Sequence, residues 1–109
     1  MATGRIGAVD LGALAYTDLY TVPADTFTVA SISLANRTTS AVQVRVAITT
    51  TAGPAAPGNS EFIEYGTTIA ANGVLERTGL VLAANQIISI YAATVGVSAV
   101  AMGIETSTA

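Results

Sequence analysis

Residues 42–49 read Val-Gln-Val-Arg-Val-Ala-Ile-Thr, with an apolar residue at nearly every second position. On an extended chain Val42, Val44, Val46 and Ile48 face one way and Gln43, Arg45, Ala47 and Thr49 the other, the signature of a half-buried strand. Thr26–Leu34 is equally rich in strand formers but changes phase. Phe27 and Val29 share one face, whereas Ile32 and Leu34 share the opposite one. Either a bulge or cover on both faces is expected there, and both fit a strand partly buried by a neighbouring subunit. The same reading predicts strands over Ala15–Val22, Glu61–Thr67, Val74–Arg77, Gln86–Ala93 and Val97–Glu105. Ile6–Leu11 is either a further strand or part of an arm.

Pro23, Asn36-Arg37, Gly53–Asn59, Asn72-Gly73 and Thr94–Gly96 punctuate this series. Asn-Gly is a strong turn signal because both residues tolerate positive φ. Ile69-Ala-Ala-Asn-Gly-Val74 is echoed by Leu82-Ala-Ala-Asn-Gln-Ile87, two similar turns at the strand spacing of a sandwich. No helix is expected beyond a few residues near Ala13–Ala15. Short strands at this rhythm predict one all-β domain over residues 1–109, an antiparallel β-sandwich of jelly-roll or Greek-key type, with a closed barrel as the alternative. Residues 1–12 read as a possible N-terminal arm and residues 106–109 as a short tail. Thr50–Asn59 is the longest irregular segment. Its prolines stiffen it and its glycines permit sharp entry and exit, so it is either a projecting contact arm or an ordinary connection.

Composition changes the picture at the surface. Only 10% of residues are charged, against about 25% in a typical soluble domain. Lys is absent, and the four cations are Arg5, Arg37, Arg45 and Arg77. Much of the surface must then be Ser, Thr, Ala, Gly, Asn and Gln, which can be buried at an interface without desolvating a full charge. A stable assembly is expected. Four scattered cations in a chain of net charge −3 argue against nucleic acid as a partner. Arg5 is followed by Gly7, Asp10 and Gly12 rather than by the apolar run of a signal peptide. Thr78–Ile104 is uncharged and long enough to span a bilayer. Its short Val and Ile bursts, broken by Gly79, Asn85, Gln86 and Gly96, instead predict two adjacent core strands and no membrane partner.

The residue set also narrows the chemistry. Without His, Cys or Lys, the commonest general base, the usual zinc, copper and haem ligand sets, Schiff-base chemistry and a P-loop are all out of reach. No cofactor or metal site is expected. Asp10, Asp18 and Asp25 lack calcium-loop spacing. Glu61 and Glu64 fall on opposite faces of a straight strand. Glu64 and Glu76 would meet only across neighbouring strands, and Arg77 beside Glu76 makes a cross-strand ion pair the simpler reading. Asn36-Arg37-Thr38 matches a glycosylation pattern, with Asn36 read as a turn residue. Tyr16, Tyr20, Tyr65 and Tyr91 either line a sugar-binding groove or, more simply, pack in a core or interface. The expectation is a protein that packs rather than reacts, and not an enzyme.

Certain segments also form a recognisable set. Leu19-Tyr-Thr-Val-Pro23 is followed by Val29-Ala-Ser-Ile-Ser-Leu-Ala-Asn-Arg37 and Val44-Arg-Val-Ala-Ile48. Phe62-Ile-Glu-Tyr65 and Ile69-Ala-Ala-Asn-Gly-Val-Leu-Glu-Arg-Thr-Gly79 come next. Together they resemble small all-β virion proteins of tailed bacteriophages over roughly Leu19–Ile104. The chain departs from that pattern at Ala99–Met102, where more polar and basic residues are expected. The resemblance implies a structural role and carries over no catalytic residue. The function expected is that of a capsid decoration (cement) protein on the exterior of the virion, made in the host cytoplasm. It would form a homotrimer across major capsid protein junctions. The alternatives are a tail, neck or fibre-attachment component, or a carbohydrate-binding host-recognition module. The candidate assembly contacts are Thr50, Gly53, Pro54, Pro57 and Asn59 in the stiff loop, with Arg5 and Arg37.

Overall fold

A computed structural model describes residues 3–108. Eight strands follow in order: β1 Thr3–Asp10, β2 Tyr16–Thr21, β3 Thr26–Asn36, β4 Val42–Thr49, β5 Phe62–Ile69, β6 Val74–Leu82, β7 Ile87–Ala92 and β8 Val97–Ser107. One turn of 3₁₀-helix, Asn59–Glu61, precedes β5. The strands form two four-stranded antiparallel sheets, β1-β8-β3-β6 and β2-β7-β4-β5. First pairs with last, second with seventh, third with sixth and fourth with fifth, as if one long hairpin had been rolled up. That is the jelly-roll form of the β-sandwich. Two separate sheets exclude the closed barrel.

The period-two pattern explains the layers. Val44 and Val46 of β4 lie opposite Ala92 and Ile90 of β7, and Val42 and Ile88 join them on the inner face of the second sheet. Ala30, Ile32 and Leu34 of β3 and Val97, Ala99 and Ala101 of β8 supply the inner face of the first. Their burial is the main stabilising term, at about 25 cal/mol per Å² of apolar surface.

Strand β3 corrects one expectation. It alternates without a break, with Thr26, Thr28, Ala30, Ile32, Leu34 and Asn36 buried and Phe27 and Val29 exposed. The phase change arises because Thr28 takes a core position while two large apolar residues face out. The irregularity lies instead on the partner strand. Ala30 pairs with Leu80 but Ile32 with Arg77, so β6 carries an extra residue beside Gly79, whose φ of 70° suits glycine. That bulge lets β6 run on to Leu82, past the predicted end at Arg77.

Two polar clasps fasten the core. The Tyr20 hydroxyl of β2 reaches across to the first sheet, donating to Glu105 Oε2 and bonding Thr28 Oγ1 at 2.9 Å. With the phenol proton committed to the carboxylate, Thr28 is the donor in the second bond. Burial first, and then the bond to Glu105, push the Tyr20 phenol up to about 12. Asn36, also buried, donates to the carbonyls of Ser40, Ile69 and Ala70 and accepts from Thr38. It is the last residue of β3, paired with Val97, rather than a turn residue; its side chain fastens the turn that follows, and its committed amide is closed to glycosylation in the folded protein. The two echoed turns are also alike in structure. Gly73 N–H donates to Ala70 O, Gln86 N–H donates to Ala83 O, and Asn72 and Asn85 both have positive φ.

Residues 3–10 of the expected arm form edge strand β1, paired along β8. Thr106 and Ser107 of the expected tail belong to β8, and Thr108 N–H donates to Asp25 O. Met1, Ala2 and Ala109 lie outside the described residues.

Candidate functional site

Each sheet turns its second face outward, and the two outer faces differ. On the first sheet, Val81 of β6, Val29 of β3 and Ile104 of β8 lie in one row across adjacent strands. Phe27 and Met102 flank that row on β3 and β8. All five are exposed, Val81 at 71% and Ile104 at 56%. Ser31, Ser33 and Ala35 continue the surface along β3. Charges on this face stand on its outer strands, with Arg5 and Asp10 on β1 and Glu76 on β6. A cluster of large apolar side chains framed by small polar ones is the composition of an interaction surface.

The outer face of the second sheet is divided. Ala47, Thr49 and Ile87 point away from the core, as does Ser89, yet all four are buried. The segment between β4 and the 3₁₀ turn folds back over them. Gly53 N–H donates to Asp18 Oδ1 of β2 at 2.9 Å. A Cβ at Gly53 would lie 2.5 Å from Tyr16 O, an approach only glycine permits. Pro57 is buried, and Glu61 Oε1 ties the far end by accepting from Thr49 Oγ1 and Gly58 N–H. The loop is therefore a fastened flap rather than a projecting arm.

Beyond the flap, one row crosses all four strands: Tyr16, Tyr91, Arg45 and Tyr65. The Arg45 guanidinium carbon lies 4.5 Å from the Tyr65 ring centroid and 4.6 Å from that of Tyr91. Its Nη1 donates to the Tyr16 hydroxyl at 2.9 Å. That hydrogen bond, foremost, raises the pKa of a group already fully charged. Tyr16 packs on Tyr91 with centroids 4.9 Å apart, and Phe62 meets Tyr65 edge-on at the same distance. Gln43, Arg45, Tyr65, Gly66, Tyr91 and Ala93 line a hollow of about 260 Å³.

The seven expected contact residues do not come together. Arg5 is exposed on the first sheet, opposite Met102. Arg37 is exposed and paired with Asp10, joining the end of β1 to the turn after β3. Thr50, Pro54 and Asn59 are exposed on the flap. Gly53 is half-buried against β2, and Pro57 is buried. Of the four tyrosines, Tyr16, Tyr65 and Tyr91 converge and Tyr20 is inside. Arg77 of β6 pairs with Glu64 of β5, at 2.8 Å. Glu64 also accepts from Thr67 Oγ1, while Glu76 lies exposed on the other sheet, so the two carboxylates form no acid–base pair. Among the described residues no three carboxylates cluster as a metal site, and no helix is long and apolar enough to cross a membrane.

Compared with known proteins, the chain matches no family model, no curated protein and no solved structure.

Proposed function

We propose that this protein is a structural component of a phage particle, a decoration protein that packs against copies of itself and against the major capsid protein. The observation that carries the reading is the outer face of the first sheet, where Phe27, Val29, Val81, Met102 and Ile104 stand exposed. The low overall charge supports it, since little of the surface resists burial. The sequence resemblance supplies the setting. A stable interface takes about 800 Å² from each partner, roughly a seventh of the 5367 Å² this protomer exposes. Removing such surface from water drives association, and binding only to an assembled shell stabilises that shell by mass action. A trimer over capsid junctions is the proposed arrangement.

The solution mass of the purified protein at micromolar concentration tests the first half. The expected result is an oligomer that Ile104→Lys and Val81→Lys each reduce to a monomer with unchanged circular dichroism. A wild-type monomer overturns it. For the second half, particles stripped of the protein are expected to lose heat stability, and unchanged stability defeats the cement role. Labelling that places the protein on the tail would replace the capsid by a tail partner.

A further inference from the structure

The row Tyr16–Tyr91–Arg45–Tyr65 serves no purpose in that assembly reading. We infer that it is a binding site for an acidic saccharide unit, with the carboxylate held by Arg45 and the sugar ring lying against Tyr65.

The arginine anchors the site. A guanidinium has five N–H donors in a planar fork, and the hydrogen bonds of Arg45 among the described residues commit only Nη1, to Tyr16. The rings of Tyr65 and Tyr91 pack against that guanidinium, so little side-chain freedom is lost when an anion arrives. A preorganised planar donor pair fits a carboxylate, which accepts two parallel hydrogen bonds. Glu64, the nearest carboxylate along β5, is already held by Arg77 and Thr67. The hollow therefore presents one positive charge on a chain of net charge −3.

Size and wall chemistry narrow the class. About 260 Å³ falls below the roughly 300–1,000 Å³ of sites for drug-sized ligands, leaving room for one ring rather than for a folded partner. The walls are aromatic, the Gln43 amide adds a donor and an acceptor, and Tyr65 is 63% exposed. An aromatic face offers contact area to the C–H face of a sugar while the rim bonds its hydroxyls. A nucleic acid strand would need further cations along its path, and none lines the hollow.

The test uses the whole protein, titrated by saturation-transfer NMR with methyl β-D-glucuronide and methyl β-D-glucoside, which differ at C6. The glucuronide is expected to bind about tenfold more tightly. Arg45→Gln should erase that preference, and Tyr65→Ala, at an exposed position, should weaken both sugars severalfold with the fold intact. Equal binding of the two sugars, no saturation by either, or an unaltered preference in the Arg45 variant overturns the inference. None of these outcomes bears on the oligomer measurement, so the two proposals fail separately.

Discussion

Replacing Tyr20 by Phe removes one oxygen from the core and breaks both bonds that it makes between the sheets. Tyr20 is 8% exposed, so the loss is not made good by bulk water. A hydrogen bond to a charged group contributes about 1.5–3 kcal/mol and a neutral one about 0.5–1.5. The Tyr20→Phe variant should therefore be about 2–4 kcal/mol less stable near pH 8. The pH dependence gives a sharper test. In the unfolded chain the phenol titrates near 10.0, whereas in the folded protein it is pushed up to about 12. Between these values the unfolded state has released a proton that the folded state retains, so stability falls as pH rises. The contribution is complete below pH 10 and gone above 12, and amounts to at most about 3 kcal/mol. A phenylalanine at this position has no proton to lose. Urea unfolding followed by circular dichroism, run on both proteins from pH 8 to 12, isolates the effect, because the two proteins differ only at this position. The stability gap should narrow steadily across the upper two pH units. A constant gap, or a variant as stable as wild type at pH 8, would refute the clasp.

Two further predictions concern the flap. Gly53→Ala places a methyl group 2.5 Å from Tyr16 O, so the flap must lift. A loss of about 1–3 kcal/mol in urea unfolding should accompany faster proteolysis between residues 50 and 58. Ser89 Oγ is fully buried under the flap with no hydrogen-bond partner among the described residues. Burying an unpaired hydroxyl costs about 1–3 kcal/mol, so Ser89→Ala should leave the melting temperature unchanged or raise it, and a fall of several degrees would show that the hydroxyl is bonded.

The sandwich was legible because its core strands carry a period-two code that owes nothing to long-range contacts. Val42–Thr49 needs no neighbour to be read. The errors fall where one residue slips the count. Thr78-Gly79 looks like a strand end, yet in β6 it is a bulge that the chain passes through. Tyr16, Asp18 and Tyr20 would share a face on a regular strand. The register shift between Asp18 and Tyr20 turns Tyr16 outward and Tyr20 inward, so tyrosines that look equivalent in the sequence have opposite roles. Arg45 reads in the sequence only as an outward polar residue of β4. Its place between Tyr65 and Tyr91 depends on which strands flank β4, and that is a matter of topology rather than of local pattern.

The topology also explains how one small domain can accommodate both proposals. A two-layer sandwich has two outer faces, turned away from each other, and a molecule docked on one leaves the other accessible. On the second sheet, half of the outer face is closed by the chain's own flap, held by Asp18 and Glu61, and the remainder is the tyrosine–arginine row. No comparable loop is fastened over the first sheet among the described residues, and its apolar row remains open. If copies and capsid take up the first face, the row of the second sheet points outward from the assembled surface. A saccharide could then reach Arg45 without competing with assembly, and single-face substitutions such as Ile104→Lys and Arg45→Gln should act independently.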